Sequence, residues 1–110
     1  MEVTWAAPAA IAELKRASEL APNNARYNYV YAIALNSSGA RAEAMQLLEQ
    51  IHRRHPTDRE SLLALMTLTR DAGNVERAIG FARELVALDP LNPDYRRILT
   101  DLQQRMPDPR

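Results

Sequence analysis

Residues 22–56 read PNNARYNYVYAIALNSSGARAEAMQLLEQIHRRHP, one proline-to-proline period, and the next proline to close an Ala/Leu-rich stretch is Pro90. Pro22, Pro56 and Pro90 are thus spaced 34 residues apart, and two residues after each stands Asn24, Asp58 or Asn92. Equal spacing of this kind marks a repeat array. In such an array each repeat is one supersecondary unit, stability comes from stacking neighbours, and function lies on the extended surface they create. The chain is therefore expected to hold something rather than to transform it.

Within the period the apolar residues recur with helical spacing, and Ala and Leu dominate while Gly is scarce, so propensity favours helix over strand. The punctuation predicts six helices, over Pro8–Leu20, Ala25–Ser37, Arg41–Arg54, Arg59–Ala72, Val75–Leu88 and Pro93–Arg105. Ser38-Gly39 and Ala72-Gly73 close the turn inside each repeat, where a positive φ needs glycine. The turns between repeats use proline, which cannot continue the preceding helix, followed by an Asn or Asp able to accept from the free amides of the next first turn. Core positions follow from the stripe arithmetic: Leu14, Tyr31, Leu35, Leu48, Ile51, Leu65, Leu85, Leu99 and Leu102.

Composition narrows the function. At 110 residues the chain reads as one domain, and 14 basic side chains balance 14 acidic ones at a pI near 6.7. No net field draws it to nucleic acid or to an anionic membrane. Without cysteine there is no disulfide, thiolate zinc site, covalent haem attachment or cysteine nucleophile, while the compartment stays open to cytoplasm or periplasm. Met1 to Ala10 has no basic region before an apolar run, and no stretch reaches the length of a membrane span, so the chain as given reads as soluble. Ser18, Ser37, Ser38 and Ser61 lack a nucleophile-elbow context, no glycine loop cradles phosphate, and Glu43, Glu49 and Glu76 read as solvated helix faces. No cofactor and no enzyme activity are expected.

Laid on the 34-residue frame, the chain resembles the tetratricopeptide repeat family. In the first full repeat the matching residues are Asn28, Tyr31, Ala32, Leu35, Gly39, Ala44, Leu48, Ile51 and Pro56; the second gives Leu62, Leu65, Met66, Thr69, Gly73, Ala78, Ala82, Leu85 and Pro90. Ala10, Leu14, Ala17 and Pro22 fit the second half of a repeat, and residues 9–24 (AAIAELKRASELAPNN) follow the consensus most closely. Asn28 replaces the usual large aromatic, Met66 is bulky where a small residue is expected, and Thr69 stands in for a tyrosine. The resemblance implies an all-α fold, a right-handed superhelical array of antiparallel helix pairs with about 2.5 repeats and a C-terminal capping helix. The chain then parses as a single domain over 1–110: a half repeat at 8–24, repeats at 25–58 and 59–92, and a cap at 93–106. Ala32, Ala44 and Ala78 let paired helices approach, and the leucines fill the rest as ridges in grooves.

The two ends differ. On the last helix Tyr95, Leu99, Leu102 and Met106 form an apolar stripe, while Arg96, Thr100 and Gln103 are polar where the full repeats contact their own second helix, which reads as a solvating cap. At the front, Ala10, Leu14 and Ala17 face an absent first helix. That open face reads as the C-terminal part of a larger, bacterial protein, or as a surface for a weak homodimer. A self-contained alternative folds Trp5 back over the gap.

By resemblance, ligands lie on the concave wall formed by the first helix of each pair. The face opposite the core stripe carries Arg26, Tyr29, Ile33 and Asn36, then Glu60, Leu63, Thr67 and Arg70, then Asp94, Arg97, Asp101 and Gln104. An apolar spine of Tyr29, Ile33 and Leu63 rimmed by Arg26, Arg70 and Arg97 suits a peptide or partner helix. The Lys and Asn pairs of the carboxylate-clamp subfamily are replaced by Tyr29 and Ile33, so recognition of chaperone tails is not expected. From Tyr27 to Leu35 only Asn28 is polar; Tyr27, Tyr31 and Leu35 are assigned to the core, leaving Tyr29, Val30 and Ile33 for a partner or for crowding between neighbouring helices. His52 and His55 are three apart, but no third ligand accompanies them, so cations closing a helix end account better for His52, Arg53, Arg54 and His55 than a metal does. The functions left are a protein-interaction module, a self-association element, or a regulatory appendage of an enzyme or electron-transfer domain upstream.

Overall fold

The computed structural model of the protein describes residues 8–106, and every regular element among them is an α-helix. In order these are α1 (Pro8–Leu20), α2 (Ala25–Ser37), α3 (Arg41–Arg54), α4 (Arg59–Asp71), α5 (Val75–Leu88) and α6 (Pro93–Arg105). Five helices have the predicted bounds; α4 stops one residue before Ala72, whose amide still bonds the Leu68 carbonyl at 3.0 Å as the helix closes.

The repeat is written into the backbone hydrogen bonds. Asn24 N–H to Ala21, Asp58 N–H to His55 and Asn92 N–H to Asp89 are the same bond made three times, at 3.0, 3.0 and 3.1 Å. Inside the hairpins, Gly39 N–H bonds Asn36 and Ala40 N–H bonds Leu35, while Gly73 N–H bonds Arg70 and Asn74 N–H bonds Thr69. That pairing is the Schellman closure, which requires a left-handed residue. Gly39 and Gly73 supply it, with φ of 98° and 85°. The asparagines then start the next helices: Asn24 accepts from the Tyr27 amide, Asn74 from the Arg77 amide and Asn92 from the Asp94 amide, with Pro93 in the first turn of α6.

The chain divides into two compact units, the first running to Ser61 and the second beginning at Leu62, inside α4. In the first unit α2 packs on both α1 and α3. Ala32, Ala34 and Ala44 are fully buried, so the backbones approach closely, and Leu35, Leu48 and Ile51 complete the interior. Two core assignments are corrected in α2. Tyr27 is 48% exposed, and Tyr31 is half-buried. The buried line runs instead through Asn28, Ala32 and Leu35, a spacing of four and three that keeps one helix face inward and turns Tyr27 away from it.

Burying Asn28 is tolerable because all its polar atoms are engaged. Its amide oxygen accepts from the buried Ser18 hydroxyl of α1, and its amide nitrogen donates to the carbonyls of Pro22 at 3.1 Å and Asn24 at 2.8 Å. Hydrogen bonds here do the joining that an aromatic side chain would do by area. Leu14, assigned to the core, is half-buried: Ser18 is the buried residue of α1.

In the second unit Leu62 and Met66 of α4, Ala78, Ile79, Ala82 and Leu85 of α5, and Leu102 of α6 form an apolar cluster. Met66 is 1% exposed, so the bulky residue at a small-residue place is accommodated. Thr69 is buried and its hydroxyl donates to Leu65 at 2.8 Å and Met66 at 3.0 Å, which satisfies it within its own helix. Leu99 is half-buried against the cluster rather than within it, and Arg96, Thr100 and Gln103 are exposed. The expected fold-back of Trp5 lies outside the described residues.

Candidate partner-binding site

On α2, Tyr29, Ile33 and Asn36 are each half-buried and follow one another at four and three residues, so they form one stripe on the face away from Ala32 and Leu35. Arg26 begins that stripe and is exposed. Its guanidinium is not free: it donates to Glu60 at 2.9 Å, a residue 34 places later at the same position of the next repeat. Together Ala25, Arg26, Tyr29, Asp58 and Glu60 line a cleft of about 220 Å³. Asp58 also accepts from the Ser61 hydroxyl, which holds its carboxylate over the first turn of α4.

Electrostatics in the cleft are set by those charges. Burial raises the Tyr29 hydroxyl above its ordinary 10.0, and the carboxylates of Glu60 and Asp58 push in the same direction, against the opposing Arg26 guanidinium. The phenol therefore stays neutral. It is a hydrogen-bond donor and acceptor, and among the described residues it makes no hydrogen bond.

The remaining candidates lie in the second unit. Leu63 is 37% exposed, whereas Leu62 and Leu65 on either side are fully buried. Thr67, one turn on, is half-buried and donates to the Leu63 carbonyl at 2.9 Å. Arg70 pairs with its neighbour Asp71 at 3.2 Å, and Arg97 with Asp94 at 3.4 Å. Asp101 is exposed. The three arginines expected on the rim are all paired, Arg70 and Arg97 with near neighbours and Arg26 with Glu60 of the next repeat, and such solvent-accessible pairs contribute little and break readily.

Glu60 lies on the face expected to bind, one period after Arg26 and of opposite charge, whereas Asp58, read as an acceptor in the turn between repeats, was not expected in the cleft. On α1, Ala10, Leu14 and Ala17 are all half-buried.

The basic end of α3 has a structural task. Arg54 donates to the Pro22 carbonyl at 2.8 Å and the His55 ring meets the Asn23 carbonyl at 3.1 Å, so the end of one second helix braces the turn of the preceding repeat. These contacts border a cleft of about 200 Å³ between α1 and α3 whose polar groups, Ser18, Asn28, Arg54 and His55, largely bond the protein itself. Among the described residues no three or more His, Cys, Asp or Glu side chains gather to hold a metal, and no helix is long and apolar enough to cross a membrane.

Helical hairpins with a 34-residue period, glycine-closed within and proline-separated between, define a class of helical repeat proteins. The tetratricopeptide repeat model matches residues 6–69 and again 35–102, and the chain belongs to the tetratricopeptide repeat family. Modules of this family generally mediate protein–protein interaction and are typically non-catalytic. No curated protein matches the chain.

Proposed function

We propose that the chain is a protein-interaction module that takes an extended or helical segment of a protein partner against the exposed face of its first helices. Tyr29, Ile33 and Leu63 supply the apolar contacts. Arg26, Asn36, Thr67, Arg70, Arg97 and Asp101 supply polar groups at the edge. The observation that carries this reading is Tyr29: a half-buried aromatic whose hydroxyl lacks a hydrogen-bond partner among the described residues, since a tyrosine so placed ordinarily finds one. Recovery of partners from the source cell by the wild-type protein and by Tyr29→Ala, followed by titration of the enriched protein, tests it. Loss of an aromatic anchor is expected to weaken binding by about 1 to 2 kcal/mol or more. Equal recovery by both proteins moves the binding surface elsewhere.

A second reading is favoured by the half-buried line Ala10, Leu14 and Ala17 on α1, which two copies would cover by packing their first helices together. Light scattering over a concentration series is expected to show a weak dimer that Leu14→Lys abolishes. A wild-type protein that stays monomeric throughout rejects it.

A further inference from the structure

The 34-residue frame sorts the helices into two kinds: α2 and α4 open a hairpin, and α3 and α5 close one. By that frame α1 is a closing helix and α6 an opening one, and among the described residues neither has the other half of its hairpin. Burial shows the consequence on α1. Ala44, Leu48 and Ile51 of α3 are buried, with α2 packed on that helix, whereas Ala10, Leu14 and Ala17, one period earlier, are only half-buried. The converse holds on α6. It packs on α5 as α2 packs on α1, but Arg96, Thr100 and Gln103, at the places by which an opening helix meets its own closing helix, are exposed. Their polarity does not bar burial: Asn28 stands where Arg96 does and Thr69 where Gln103 does, and both are buried.

Charge supplies a second, independent observation. On α1 Glu13 stands where Leu47 and Phe81 stand in the full repeats, and on α6 Arg96 stands where Asn28 and Leu62 stand. Opposite charges thus replace uncharged residues, one on each unmatched helix, and both side chains are exposed and form no ion pair among the described residues. In the hairpin of α2 and α3, Asn28 and Leu47 line one cleft, so an opening and a closing helix bring these two places together.

We infer that α6 of one copy docks on α1 of a second copy and completes a hairpin between two chains, Arg96 of the first meeting Glu13 of the second. The inference rests on α1 being a self-association surface, and it names what α1 meets: α6 rather than a second α1. Ala10 and Ala17 let the two helix backbones approach, as Ala44 does beneath α2. The contact is heterologous, so a pair formed this way still presents one α1 and one α6, and further copies add in the same sense. A polar face and one exposed ion pair make the association weak, and salt weakens it further.

Sedimentation velocity at low salt over a concentration series tests this with Glu13→Arg and Arg96→Glu, both at exposed positions, run separately and mixed in equal amounts. Each variant alone sets like charges against each other and is expected to associate roughly fivefold more weakly than wild type. The mixture restores opposite charges wherever unlike copies meet, so it is expected to recover the wild-type association. The double variant, with the two charges exchanged within one chain, is expected to recover it as well. Arg96→Glu associating as tightly as wild type, or a mixture no tighter than its components, overturns the inference. If Arg96→Glu matches wild type while Leu14→Lys stays monomeric, the part assigned to α6 is rejected and self-association through α1 stands. A wild-type protein that is monomeric throughout rejects both.

Discussion

The Ser18 hydroxyl donates to the Asn28 amide oxygen between α1 and α2, with both side chains buried. One period later the equivalent places hold His52 and Leu62, and Leu62 is fully buried in an apolar cluster. The polar pair is therefore particular to the α1–α2 junction rather than a demand of the repeat. Replacing one member orphans the other. Asn28→Ala should cost about 1 to 3 kcal/mol by leaving Ser18 unsatisfied. The carbonyls that Asn28 serves keep other donors, Arg54 at Pro22 and the Asn28 backbone amide at Asn24. Ser18→Ala with Asn28→Leu together, replacing both partners by apolar groups, should restore most of the loss. Denaturant titration of wild type, Ser18→Ala, Asn28→Leu and the double variant gives the coupling, expected at about 0.5 kcal/mol or more; additive costs would show the pair is not a unit.

Glycine is used in two ways, and the difference predicts opposite signs. Gly39 and Gly73 adopt φ of 98° and 85°, so an alanine at either must enter a left-handed conformation even though its Cβ would meet nothing within 4 Å. Each substitution should destabilise by about 1 to 2 kcal/mol. Gly80 lies inside α5 without positive φ, and a Cβ there also meets open space. Gly80→Ala should stabilise by about 0.5 to 1 kcal/mol through helix propensity alone. Thermal unfolding of the three variants checks the signs; a destabilised Gly80→Ala would refute the propensity account.

Leu65 is fully buried at the large-residue place of α4. Leu65→Ala removes its transfer energy and leaves a cavity, for an expected cost of about 2 to 5 kcal/mol. A denaturant midpoint unchanged from wild type would remove Leu65 from the core.

The helices were legible because their boundaries depend on local chemistry: proline, glycine and capping asparagine act within a few residues, and all recur in phase. Burial was less so. Tyr27 and Tyr31 belong to a run that is apolar on every side, where composition gives no inward direction, and the actual interior was chosen by the hydrogen bonds of Asn28. The cleft was legible only in part. Tyr29 and Arg26 stand on one helical face, but Asp58 reads locally as a cap, and its place beside Tyr29 depends on packing between residues far apart in the chain.

Tyr29 also leaves a signature at high pH. Burial, then Glu60, raise its ionisation above the ordinary value of 10.0 while the unfolded chain titrates normally. Between those two values the unfolded state has lost its proton and the folded state keeps it, so the folded protein binds more protons and stability falls as pH rises. The contribution is fully present below pH 10.0 and is lost as pH climbs through the raised value. Tyr29→Phe has no proton to lose, so its stability should decline less steeply over that window. Phenolate absorbance should likewise show one phenolate fewer, missing from the late part of the titration. Superimposable stability curves for Tyr29→Phe and wild type above pH 10 would mean that the Tyr29 hydroxyl lies in open water, and the cleft walls assigned to it would have to be redrawn.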